Sequence, residues 1–145
     1  MGSRMTREQI VGVLNAMHRA WNNRDPVGLA AAHTDDGVVY SPIFGEVHGK
    51  AAIEKSYRDL FLGFADWTFE PAELVVDGLR AAQLFNVTAT HTSEMFGMPP
   101  THRRFKIQGV LVFEFRDGKV AVERRLYDFT GLLIQMGVIK AKPGG

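Results

Sequence analysis

Arg104-Phe105-Lys106-Ile107-Gln108-Gly109-Val110-Leu111-Val112-Phe113-Glu114-Phe115-Arg116-Asp117-Gly118-Lys119-Val120-Ala121-Val122-Glu123-Arg124-Arg125-Leu126-Tyr127-Asp128 settles the architecture. Side chains alternate across a strand, so Phe105, Ile107, Gly109, Leu111, Phe113 and Phe115 share one face. The spacing predicts a strand over Arg103–Phe115. Asp117-Gly118 accepts the positive φ angles of a tight hairpin, and Lys119–Tyr127 returns as the last long strand. On that strand Glu123, Arg125 and Tyr127 alternate on one face. Gly109, small among large apolar neighbours, permits a bend or a close approach.

Upstream, the same period of two predicts strands over Trp67–Val76 and Arg80–Thr92, with a loop at Met95–Pro100. Before them the period is helical. Thr6 and Gln9 form a capping-box pattern. Ile10, Val13, Leu14, Met17 and Trp21 recur at helical spacing, which predicts a helix over residues 7–24. Asp25-Pro26 ends it and starts a second helix carrying Leu29 to Ala32. Asp35-Asp36-Gly37 reads as a turn and Val38-Val39-Tyr40 as a short strand. Residues 50–63 are helical again, and Thr130–Gly137 closes the chain as a short helix. Helices first and an antiparallel meander after them give an α+β fold. The expectation is a curved antiparallel sheet wrapped around the N-terminal helices, forming a cone with an internal cavity.

Composition narrows the classes. A chain of 145 residues suits one domain, expected over 5–138. Residues 1–4 read as a tag or disordered start, and 139–145 as a flexible tail. With 46% apolar residues and a net charge of +1, the chain is no disordered tail. Its 17 basic and 16 acidic residues nearly cancel, so no charge footprint for nucleic acid or an anionic membrane remains. No apolar run approaches the roughly 18 residues of a membrane span. Zero cysteines exclude disulfides and thiol catalysis and agree with a cytoplasmic location. The ten Phe must fill a core or line an apolar pocket. Gly2 and Thr6 fit a loose myristoylation pattern and Asn86-Val87-Thr88 a glycosylation sequon, but the latter falls inside a predicted strand. His18, His33 and His48 have no metal-like spacing, and His102 with Arg103, Arg104 and Lys106 reads as a solvated edge.

Apolar clefts become chemical sites where a few polar groups converge in them. Asp128 lies in an apolar stretch, and desolvation there would raise its pKa into the range of a general acid or base. The competing use is an N-cap for the last helix. His91, at the end of an inner strand, could relay a proton or polarise a carbonyl, or rest in solvent. Tyr40 could donate a phenolic hydrogen bond. Met17 and Trp21 would line the wall from the first helix, and Leu111, Phe113, Arg125 and Tyr127 from the sheet. Arg124, on the opposite face, reads as solvated.

The chain resembles the nuclear transport factor 2-like superfamily and, within it, the SnoaL-like polyketide cyclases. The likeness spans residues 7 to 138. It is carried in order by Ala20-Trp21-Asn22-Asn23-Arg24-Asp25, Val38-Val39-Tyr40-Ser41-Pro42, His48-Gly49-Lys50, Thr90-His91-Thr92, Phe96-Gly97-Met98-Pro99-Pro100-Thr101, Phe115 to Val120, Tyr127-Asp128 and Leu132 to Gly137. The resemblance implies a cone-shaped fold, a homodimer joined through the outer face of the long strands, and Asp128 as acid/base catalyst. His102 stands where the family often has Gly. The Arg-x-Asp of limonene epoxide hydrolases is absent from Ala81–Thr92. Met17, Ser41 and Leu111 occupy the positions of the ketosteroid isomerase Tyr and two Asp, so that mechanism does not transfer.

These readings converge on a cofactor-free acid/base enzyme, a cyclase or isomerase acting on a small apolar carbonyl compound of polyketide or terpenoid type. Asp128 would move a proton next to the carbonyl, while His91 and Tyr40 hold the enolate oxygen. The alternatives are a non-catalytic small-molecule-binding protein and an epoxide-hydrolase-like enzyme.

Overall fold

The hairpin forms as its sequence predicts. In the computed structural model, which describes residues 4–95 and 97–140, β5 (Arg104–Arg116) and β6 (Lys119–Tyr127) pair antiparallel from Gly109↔Tyr127 to Arg116↔Lys119. Residues 1–3 of the expected start, Phe96 of the expected loop and residues 141–145 of the expected tail lie outside the described residues. Asp117 and Gly118 take φ angles of 52° and 79°, the pair of positive values whose twist matches the flanking strands. Phe105, Ile107, Leu111, Phe113 and Phe115 are all buried. Gly109 is a close approach: a Cβ there would lie 2.5 Å from the Leu126 carbonyl oxygen and 2.7 Å from the Phe85 ring.

β4 (Arg80–Thr90) pairs with β5, and β3 (Thr68–Asp77) with β4. β1 (His33–Ser41) and β2 (Gly45–His48) form a second antiparallel pair. The six strands make one sheet in the order β2-β1-β6-β5-β4-β3. The expected all-antiparallel sheet is in fact mixed, because β1 lies parallel to β6. Three antiparallel reversals from β3 to β6 bring the last strand beside the first with the same direction. The Asp35-Asp36-Gly37 turn is also corrected. Those residues sit within β1, where an irregularity lets the step from His33 to Val38 face the shorter step from Val120 to Val122. β1 therefore reaches back to His33, five residues earlier than Val38.

The helices cover the concave face. α1 (Arg7–Asn22) starts on the expected capping box, with Thr6 Oγ1 accepting from Gln9 N at 3.1 Å and Gln9 Oε1 accepting from Thr6 N at 2.8 Å. It stops short of residue 24, since Arg24 turns to a φ of 49°. Asp25 caps α2 (Pro26–Ala31), accepting from Gly28 N at 3.0 Å. α3 (Lys50–Gly63) has the predicted bounds. Ile10, Leu14 and Met17 of α1 and Ile53, Tyr57 and Leu60 of α3 are buried in the core with the sheet's Phe residues. α4 (Phe129–Gln135) follows β6. Past the end of β6, the Gln135 amide takes up the strand edge of β5: it accepts from Lys106 N at 2.8 Å and donates to Lys106 O at 3.1 Å. Among the described residues no helix is long and apolar enough to cross a membrane.

Candidate active site

The alternation of β6 turns Glu123, Arg125 and Tyr127 toward the helices and Arg124 outward, where its guanidinium lies 4.6 Å from the Tyr40 ring centroid. Between the sheet and helices α1 and α3 runs a cleft lined by Trp21, Ile43, Leu60, Trp67, Phe69, Phe85, Val87, Ile107, Leu111, Arg125 and Tyr127. Its free volume is about 20 Å³, room for roughly one water molecule, so its walls must part to admit a ligand. It is a narrow slot. Trp21 stacks on Phe69 at 5.3 Å and 9°, and Phe69 on Phe85 at 5.2 Å and 22°, so one wall is a course of nearly parallel rings.

The polar floor of this slot is a buried cluster. Glu123 is 0% and Arg125 only 6% exposed. Arg125 Nε donates to Glu123 Oε2 at 2.7 Å, and the Tyr57 hydroxyl donates to both carboxylate oxygens at 3.0 and 3.1 Å. The Arg125 guanidinium also lies 4.6 Å from the Tyr57 ring centroid, a favourable cation–π distance. His33 Nδ1 meets the Leu29 carbonyl at 2.9 Å, a contact that is attractive only with Nδ1 as donor. Its Nε2 lies 3.4 Å from Glu123 Oε1, within ion-pair distance but off the line of a hydrogen bond. Burial alone would push the Glu123 carboxyl up. The Arg125 guanidinium and His33 outweigh burial and hold it down at about 2. Burial raises the Tyr57 and Tyr127 phenols despite the nearby guanidinium, so both keep their protons.

Among the side chains that line the cleft, the buried polar atoms left without a partner are donors. Arg125 Nη2, Trp21 Nε1 and Trp67 Nε1 are buried and have no hydrogen-bond partner among the described residues. All three belong to side chains that line the cleft. A buried donor without an acceptor costs roughly 1–3 kcal/mol, so an oxygen ligand that accepts from these atoms recovers that cost.

The predicted site residues divide. Trp21, Leu111, Arg125 and Tyr127 line the cleft. Met17 and Phe113 are buried in the core and form no part of that lining. Tyr40 is on the outer face. His91 is fully buried, with Nδ1 accepting from Thr101 N at 3.2 Å and its ring 6.0 Å from that of Phe64. Burial lowers its pKa and it stays neutral, but it is not among the residues lining the cleft. Asp128 is exposed rather than desolvated, and its Oδ1 accepts from Gly131 N at 2.8 Å as the N-cap of α4. It faces an open groove with Lys106, Ile107, Gln108 and Gln135, and Ile107 is the wall this groove shares with the cleft.

Sequence reasoning missed Tyr57, Trp67 and His33. Tyr57 shares the apolar face of α3 with Ile53 and Leu60, yet its hydroxyl at a core position requires a partner, and that requirement was the available signal. His33 was hidden by reading the next residues as a turn.

Known proteins resemble this chain in fold and, over part of its length, in sequence. A stretch of 47 residues, 32% of this chain, is 43% identical to the nogalonic acid methyl ester cyclase of Streptomyces nogalater. That match spans only about a third, 35%, of the cyclase's length. AclR of Streptomyces galilaeus, named as a candidate hydroxylase, superimposes with a TM-score of 0.81 at 28% identity, over 95% of this chain and 87% of its own. A candidate SnoaL-like polyketide cyclase from Jannaschia sp. CCS1 has the same fold, with a TM-score of 0.84 at 16% identity over 95% and 99% of the two chains. The sequence profile of the SnoaL-like polyketide cyclases matches residues 11–136, and the chain belongs to that family.

Proposed function

We propose that this protein is a cyclase that binds a polyketide-type carbonyl compound in the cleft and closes a ring by intramolecular carbon–carbon bond formation. One observation carries the reading: buried, unpartnered donors on Arg125, Trp21 and Trp67 along an otherwise apolar slot. In such a closure a base takes a proton from the carbon beside a carbonyl. The resulting enolate carbon attacks a second carbonyl of the same molecule, and the proton returns to the alkoxide oxygen. Atoms balance within the substrate and no redox partner is needed. Negative charge builds on oxygen, and Arg125 with the protonated Tyr127 phenol are the groups to hold it. Glu123, committed to Tyr57 and Arg125, positions the guanidinium. Asp128, beside Tyr127 and across Ile107 from the cleft, is the proposed proton acceptor.

The capped, exposed state of Asp128 favours a second reading, a binding protein without catalysis. The test is deuterium exchange at the methyl ketone of 2-acetylnaphthalene in D2O, followed by NMR, alongside its binding. Catalysed exchange that drops about 100-fold or more in an Arg125→Met/Glu123→Gln variant, and disappears in Asp128→Asn, supports the enzyme. Binding with no catalysed exchange supports the second reading and refutes the first.

A further inference from the structure

A cleft with about 20 Å³ of free space is closed to anything larger than water, so a ligand reaches it only when part of the wall moves aside. We infer that this part is the β1–β2 turn: Ile43 is a door between the cleft and an open groove on the surface, and it sets how fast a ligand enters and leaves. This rests on the reading of the cleft as the binding site and adds the route to it and the residue that controls that route.

Three observations support it. First, the cleft shares one side chain with each of two open grooves. Ile43 stands between it and a groove of about 740 Å³ that Phe44, Leu62, Gly63 and Met95 also line. Ile107 stands between it and the groove beside Asp128. Second, the two partitions are held very differently. Ile107 is 5% exposed and lies within β5, paired with Val87 of β4. The Gln135 amide grips the backbone beside it at Lys106. Moving Ile107 therefore means parting the sheet. Ile43 is half-buried in the turn Pro42-Ile43-Phe44, beyond the β1–β2 ladder, which ends at Ser41↔Gly45. The other lining residue outside a helix or strand is Trp67, and it is wedged among the rings of Trp21, Phe64 and Phe105 at 5.9, 5.7 and 6.2 Å. Third, the turn has a light latch. Ser41 Oγ accepts from Ile43 N and from Phe44 N, both at 3.1 Å. Gly45, at a φ of 71°, gives the far end of the turn a pivot with no side chain to drag.

A ligand that waits for an opening associates at its intrinsic rate multiplied by the open fraction. Once the turn has closed behind it, the ligand leaves only through the same opening. A change that opens the turn more often therefore raises the association and dissociation rates together and leaves Kd nearly unchanged. Losing a simple wall contact raises dissociation alone. The probe is 2-acetylnaphthalene, with binding followed by stopped-flow quenching of Trp21 and Trp67 fluorescence. Ser41→Ala leaves Ile43 whole and removes the acceptor that holds the turn. It should raise both rates about fivefold or more, the effect of losing roughly one hydrogen bond. Ile43→Ala shortens the door itself and should raise both at least as much. Lys106→Ala, at the other groove, should change neither. Unchanged rates in either turn variant, a rise in dissociation alone, or a rise in both rates in Lys106→Ala overturns this inference and leaves the cleft as the binding site. If the probe does not bind the wild type, the inference falls together with that site.

Discussion

Replacing Glu123 by Gln isolates the buried charge cluster. Gln has nearly the size of Glu and still offers an oxygen to the Tyr57 hydroxyl and Arg125 Nε, so what changes is the charge. The Glu123 carboxyl falls from 4.5 to about 2 on folding, a difference of about 2.5 units, or about 3 kcal/mol at 1.36 kcal/mol per unit. Because the folded pKa lies below the unfolded one, this stabilisation is complete above about pH 4.5 and is lost as pH falls toward about 2. At pH 7 Glu123→Gln should therefore cost about 3 kcal/mol, a fall of roughly 6–12 °C in melting temperature for a chain this long. The gap should then shrink to about half by pH 3, because only the wild type titrates there. Urea unfolding followed by the fluorescence of Trp21 and Trp67, both buried, gives the two free energies at each pH. A gap below about 1 kcal/mol at pH 7, or one that stays constant down to pH 3, would refute the account of Glu123 as a carboxylate held ionised by Arg125 and His33.

Three further outcomes are expected. Asp128→Ala should cost about 0.5–2 kcal/mol by uncapping α4, whereas Asp128→Asn, which keeps a capping oxygen, should cost little; equal thermal stability of the alanine variant and the wild type would contradict the cap. Gly109→Ala should destabilise by about 1–3 kcal/mol, since the new methyl meets the Leu126 carbonyl at 2.5 Å and cannot displace backbone cheaply; a neutral result in thermal melts would mean that β5 and β6 sit further apart. Leu84, Val110 and Leu126 fall in register across the outer face of β4, β5 and β6, with Leu84 and Leu126 exposed. Light scattering should find a dimer that Leu126→Glu shifts to monomer, and a wild-type monomer at micromolar concentration would oppose this.

What could be read from the chain was whatever local physics decides. The β5–β6 hairpin follows from a period of two and one Asp-Gly pair, and its parity places Arg125 and Tyr127 on the inner face correctly. Helices α1 and α2 follow from their caps, and α1 and α3 from their apolar spacing. Contacts between distant segments were not legible. Nothing near Val38 signals that it lies beside Val122, so the parallel pairing and the true start of β1 at His33 escaped notice. Asp128 shows the limit differently. The same residue, before Phe129 and Leu132, suits both a cap and a desolvated base, and only its observed bond to Gly131 N and its exposure show the cap in place. His91 was expected at the cavity because it follows an inner strand, but the Phe64 ring packs over it. Tyr40 fails by parity, since on β1 it sits opposite the outward Arg124.

The parallel pairing of β1 with β6 has a kinetic consequence. His33 leaves the ribosome well before Glu123 and Arg125, yet they meet in one cluster. Contacts between such distant segments carry a large loop-closure entropy and form slowly. The α1–α2–α3 segment with β1 and β2 must therefore wait, its apolar faces uncovered, until the final hairpin arrives and docks. A nascent chain stalled before residue 119 would hold neither Arg125 nor Glu123, so ligand binding should appear in one late step, when β6 seats beside β1.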